Sequence, residues 1–177
     1  MKNTLELSRV VALATLKEQR YYTTHFESNA EENVALAKRY EILEVKTIEA
    51  DIKIRNLGEG RYRVQAHYKA EIVQACGLTL EPVVEFIDDS YEEILTTRPE
   101  DVAVFDEEEI QDADAATELI TGDEIDYGEI VVQLVALSLN PFPRAVPQGE
   151  ALFAHVEHQN NPFAVLSHLQ ADRNKKS

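Results

Sequence analysis

Cysteine is nearly absent. Cys76 is the only one in 177 residues, so no internal disulfide can form and nothing points to an oxidising compartment. Long apolar runs are absent too: no segment has the length of a bilayer span, and Met1 to Leu7 lacks the apolar core of a signal peptide. The expectation is a cytoplasmic protein. Cations are missing from one stretch, because residues 85–126 hold 1 Lys or Arg against 17 Asp and Glu. Residues 1–84 hold 12 of each sign and residues 127–177 hold 4 of each, so the net charge of -16 resides in the middle segment. Such a surface repels phosphate, which argues against free nucleic acid as its ligand and in favour of a basic protein.

What the chain does have is alternation. From Arg61 to Ile72 every even residue is apolar and every odd one polar, the period of a strand with one buried and one wet face. Val45 to Arg55 repeats the pattern with Ile48, Ala50, Ile52 and Ile54, and the intervening Asn56-Leu57-Gly58-Glu59-Gly60 is turn chemistry. The two segments therefore predict an antiparallel hairpin with a shared core face. Further strands are expected around Leu5 and Leu7, from Gln19 to Glu27, and from Val83 onward after the turn Cys76 to Pro82. The stretch Val10 to Leu13 is apolar without a clear period.

Two helices are predicted. Ser28 and Glu31 have capping-box spacing, followed by a helix over about 29–40 burying Ala30, Val34 and Ala37, with Leu36 and Tyr40 as further candidates. Asp126 and Glu129 mark a second start, and Ile130 to Leu139 is apolar on most sides, as in a helix buried against a sheet. Asn140-Pro141-Phe142-Pro143 ends it. Residues 98–122 read as a solvated acidic loop or a weakly docked helix. The expected organisation is one α+β domain over 1–154, with a curved, mainly antiparallel sheet or open barrel and two principal helices, then a tail over 155–177 with a short helix over 162–170.

Three motifs occur in a fixed order. Ala75-Cys76-Gly77-Leu78-Thr79-Leu80-Glu81-Pro82-Val83 is followed by Ile125-Asp126-Tyr127-Gly128-Glu129-Ile130-Val131, then by Leu137-Ser138-Leu139-Asn140-Pro141-Phe142-Pro143-Arg144. Over about 45–150 this order resembles the YceD family of large ribosomal RNA subunit accumulation proteins. The residues carrying the likeness are Cys76, Leu80, Glu81, Pro82, Asp126, Gly128, Glu129, Pro141, Pro143 and Arg144. The resemblance implies a role in making, processing or stabilising large-subunit (23S) rRNA, and it supplies no catalytic residue. Many members of that family carry Cys-x-x-Cys at the turn, where this chain has Cys76 and Thr79, so a paired-thiol role does not transfer and Cys76 alone builds no zinc knuckle.

Two charged surfaces are the functional candidates. Asp101, Asp106, Glu107, Glu108, Glu109, Asp112 and Asp114 form an acidic surface able to hold a basic ribosomal or assembly protein, against the plainer role of solvation. Arg55, Arg61, Arg63 and Lys69 form either an RNA-facing patch or ordinary strand-face charge paired within the chain. A metal-dependent hydrolase is the remaining alternative. Neither His155 and His158 nor the carboxylate clusters complete a ligand set, and no metal, cofactor or enzymatic activity is expected.

Overall fold

The Arg61–Ile72 alternation lies at the centre of the sheet. In the computed structural model, which describes residues 6–102 and 118–145, β3 (Glu44–Gly58) and β4 (Arg61–Ala75) form the expected hairpin. Ile54 faces Val64, Ile52 faces Ala66, Ala50 faces Tyr68 and Ile48 faces Ala70; all of these are buried. Backbone φ is positive at Gly58, Glu59 and Gly60 in succession. A side chain on Gly60 would also collide with the Thr97 hydroxyl, so the turn needs glycine there for both reasons.

Around this hairpin, β2 (Tyr21–Glu27), β5 (Pro82–Thr96) and the two-residue β6 (Glu118–Leu119) complete a sheet of order β2-β3-β4-β5-β6. Every pairing is antiparallel except β5 with β6. The sheet is not closed. A separate antiparallel pair joins β1 (Val10–Ala12) to β7 (Glu124–Asp126). Helices α2 (Ala30–Arg39) and α3 (Tyr127–Ser138) contribute Leu36, Val131, Val132 and Val135 to one core with the sheet's inner face. The Tyr40 hydroxyl donates to the Val132 carbonyl at 2.7 Å and ties the two helices together. The α+β class and the two principal helices agree with the sequence, and a short third helix, α1 (Leu13–Glu18), buries Leu13 and Leu16.

Three expectations need correction. Glu6 to Arg9 is irregular rather than a strand, because the chain there turns around the start of α3: the Arg9 amide donates to Asp126 Oδ1 at 3.0 Å. Pairing begins only at Val10. The cap of α2 lies one residue later than predicted, since Asn29 accepts from the amides of Glu31 and Glu32 while Glu32 accepts from the Asn29 amide. Ser28 is committed elsewhere. Its amide donates to the Ile48 carbonyl at 2.8 Å and its hydroxyl accepts from the Ile48 amide at 2.9 Å, extending the β2–β3 pairing by one residue. The buried position of α2 is then Leu36, flanked by half-buried Ala37 and Tyr40, and Val34 is 74% exposed. Helix α3 buries one broad side in the core, as expected, and leaves Leu137 exposed.

The cap assignment predicts an order of effects in chemical denaturation. Asn29→Ala should cost about 1 kcal/mol, as loss of a cap does. Ser28→Ala should cost about 2 kcal/mol, because it leaves a buried amide without its acceptor. A neutral Asn29→Ala would return the cap to Ser28. The predicted domain limit at 154 and the helix over 162–170 lie outside the described residues.

Candidate interaction surface

The motif residues hold the fold together. Asp126 caps α3 by accepting from the Glu129 amide at 3.0 Å, and it also accepts from the Ser8 hydroxyl and the Arg9 amide. Glu129 in turn receives a bidentate Arg39 at 2.6 and 2.9 Å, which raises the guanidinium pKa and lowers that of the carboxylate. Gly128 lies where a Cβ would be 2.6 Å from the Arg9 nitrogen. In the first motif Cys76 is buried, its amide donates to the Glu81 carbonyl at 2.8 Å, and the Leu80 amide returns to the Cys76 carbonyl at 2.9 Å. Leu80 sits at φ +63, and Pro82 opens β5 opposite Ala75. The third motif docks on this turn through the Pro143 carbonyl, which accepts from the Gly77 amide at 2.9 Å. Pro141 and Arg144 are exposed.

The Cys76 thiol is lowered to about 6 by the Thr79 hydroxyl first, then by the backbone amides of Ala145, Leu78 and Thr79. Thr79 has a single hydroxyl proton, and Glu81 Oε2 competes for it at 3.2 Å. A thiolate held by amides at a tight turn is a stabilised anion, but its burial withholds it from solvent-borne reactants.

Two of the four candidate hairpin cations, Arg63 and Lys69, are paired with acids across the strands. Arg63 lies 3.3 Å from Glu92, Lys69 lies 3.9 Å from both Glu49 and Asp88, and His67 is 2.8 Å from Asp88. The Arg55 guanidinium stacks over the Tyr21 ring at 5.6 Å. Arg61 Nε is buried with no hydrogen-bond acceptor among the described residues. Of the two sequence alternatives, the contacts favour pairing within the chain, and part of the pairing comes from carboxylates of β5. On the same face as Arg55, Arg61, Arg63, Lys69 and Lys53 stand Glu27, Glu49, Asp51, Glu71, Asp88 and Glu92. That face carries no net positive charge.

Of the predicted acidic surface, Asp101 alone falls among the described residues, and it is tied down. Within the 3-10 turn Pro99–Asp101 it accepts from Arg98 at 2.7 Å through both oxygens and from the Thr96 hydroxyl at 3.1 Å, which lowers its pKa. Asp106, Glu107, Glu108, Glu109, Asp112 and Asp114 lie outside the described residues.

A carboxylate the sequence did not single out lies close by. Glu93 faces inward opposite Val64 and is 7% exposed. Burial, with Glu118 as a second cause, pushes it up to about 7 while the Tyr91 hydroxyl opposes the shift. A cleft of about 360 Å³ runs between β6, β7 and α3, lined by Glu118, Glu124, Asp126 and Glu129 with Ile130 and Gln133. Asp126 and Glu129 are engaged as described; Glu118 and Glu124 make no ion pair among the described residues. No three His, Cys, Asp or Glu side chains converge as a metal site there or elsewhere among these residues.

The fold and this surface define an α+β protein with an open sheet and an acid-rich margin along β5. No protein-family model, curated protein or solved structure matches the chain. Among the described residues no helix is long and apolar enough to cross a membrane.

Proposed function

We propose that this chain is a non-enzymatic, cytoplasmic ribosome-biogenesis factor of the YceD kind. It supports synthesis, processing or stability of large-subunit (23S) rRNA by holding a basic ribosomal or assembly protein on its acidic surface. The observation that carries the reading is an imbalance. Arg63 and Lys69 of the hairpin lie against Glu92, Glu49 and Asp88, whereas the exposed Asp89, Glu118 and Glu124 have no cation beside them among the described residues. An unbalanced acidic margin attracts basic polypeptide and repels the phosphate backbone. The same contacts of Arg63 and Lys69 stand against direct RNA binding through the hairpin face. The role of Asp126, Gly128, Glu129 and the Cys76–Pro82 turn as joints of the fold fits a family motif without catalytic residues.

Affinity capture from lysate, with and without ribonuclease, tests the reading on the full chain and on a variant with Asp106, Glu107, Glu108, Glu109, Asp112 and Asp114 changed to their amides. A second variant carries Glu85→Gln and Asp89→Asn. The expected result is a basic ribosomal or assembly protein that survives ribonuclease and is lost from at least one variant. RNA captured equally by all three proteins would move the hairpin face to first place and overturn the proposal.

A further inference from the structure

The outer margin of β5 has a definite hydrogen-bonding parity. The β4–β5 ladder runs without a bulge from Ala75 opposite Pro82 to Arg61 opposite Thr96. Just outside its ends, the Cys76 amide donates to the Glu81 carbonyl at 2.8 Å and the Thr97 amide donates to the Gly60 carbonyl at 2.9 Å. In an antiparallel pair the bonded positions alternate. Odd residues of β5 therefore bond to β4, and even residues turn both backbone groups outward. Two contacts agree with this parity: the Thr96 carbonyl accepts from the Ile120 amide at 2.7 Å beside β6, and the Ser90 amide finds only the carboxylate of its neighbour Asp89, at 2.7 Å.

Strand β6 covers β5 only at Leu95 and Thr96. Among the described residues nothing pairs with Val84, Phe86, Asp88, Ser90 or Glu92 on that side. A long open edge invites self-association, and charge is the usual guard. Here the guard has one sign. Glu85 and Asp89 project on the inner face of the margin and Asp88 and Glu92 on the outer, so a second β5 laid alongside would set carboxylate against carboxylate. The opposite margin, β2, brings only Glu27 as an acid.

We infer that the outer edge of β5 is a docking site for an extended, basic segment of a partner protein, which joins the sheet as an additional strand. The inference rests on the proposed basic partner and specifies where and how it binds. Backbone bonds to the even residues supply the register. Lys and Arg on both faces of the incoming strand meet the carboxylates on both faces of the margin, and one apolar residue meets Phe86, which is 76% exposed beside Val84.

The test uses the full chain and a synthetic peptide of about ten residues made of Lys, Arg, Val and Thr, close to the length of a long natural strand. A second peptide of identical sequence is N-methylated at alternate residues, which removes the donors of one edge and leaves the charge. Amide exchange followed by NMR should show new protection at Val84, Phe86, Asp88 and Glu92, with odd residues unchanged. The methylated peptide should bind at least about tenfold more weakly, the equivalent of about 1.4 kcal/mol. On the protein side Ser90→Pro removes an outward amide and should weaken the first peptide, whereas Ser90→Ala should not. Equal binding of the two peptides, or binding without protection of β5, overturns the edge inference. If a basic protein is still captured from lysate in that case, the edge inference alone fails; if none is captured, the proposed function fails with it.

Discussion

Replacing Gly128 by alanine should lower the stability of the domain by about 3 kcal/mol, in the upper range for a residue forced into a filled space. Helix propensity alone predicts the reverse, a gain of up to about 1 kcal/mol for Gly→Ala in a helix. Packing decides the sign. A Cβ at this position would lie 2.6 Å from the Arg9 nitrogen, 2.9 Å from Leu7 Cδ2 and 3.1 Å from the Ser8 carbonyl carbon. Two of these are backbone atoms, held in place by the Arg9 amide on Asp126 and by the Gly128 amide on the Arg9 carbonyl at 3.3 Å. Leu7 is fully buried and cannot swing clear without leaving the core. In thermal unfolding the expected loss is about 10 °C for a domain of this size. A stabilised Gly128→Ala would mean that the Leu7–Arg9 segment does not lie against α3.

The second large effect is a dependence on pH. Glu93 has an ordinary carboxyl value of 4.5 when unfolded and is pushed up to about 7 when folded, by burial first and by Glu118 next. A carboxyl raised on folding favours the folded state while protonated. Its contribution is complete below about 4.5 and is lost as pH rises through 7. After allowance for partial solvation, the wild type should lose about 2 kcal/mol between these limits, from roughly 1.4 kcal/mol per pKa unit. Glu93→Gln should remove most of that decline, matching wild type near pH 5 and exceeding it near pH 8 in urea titrations. Cys76 has the opposite slope, because its thiol falls from 9.0 to about 6 on folding. Its contribution is present above 9.0 and lost as pH falls through 6, so Cys76→Ala isolates the Glu93 transition. An unchanged decline in Glu93→Gln would remove Glu93 as its source.

Much of the scaffold was legible because period and punctuation agreed. The β3–β4 hairpin followed from two runs in phase across a glycine turn, and α3 from Asp126 at its cap and an apolar run ended by proline. The start of α2 was ambiguous for a local reason. Ser28 with Glu31 and Asn29 with Glu32 both have capping-box spacing, and only the distant Ile48 decides which residue is free to cap. The candidate surface was harder to see. Asp88-Asp89 and Glu92-Glu93 place acids on both faces of β5, which erases the alternation that identifies a strand, so the strand expected from Val83 onward had no legible extent before the acidic loop expected over 98–122. Whether its edge is open depends on where Glu118 and Leu119 pair, and the state of Glu93 depends on Glu118. Neither relation has a local signature. The hairpin cations were open to two readings, an RNA-facing patch or pairing within the chain, because the register that sets Glu92 and Asp88 beside Arg63 and Lys69 has no local signature.

The most direct test of the account is the ratio of large- to small-subunit rRNA in cells lacking this protein, supplied either with the natural chain or with one carrying Glu85→Gln and Asp89→Asn. Both substitutions lie on the β5 margin and outside the cross-strand ion pairs, so the variant should fold normally. The account predicts a lowered ratio on loss, restored by the natural chain and not by the variant. A ratio unaffected by loss, or restored equally by both, would contradict it.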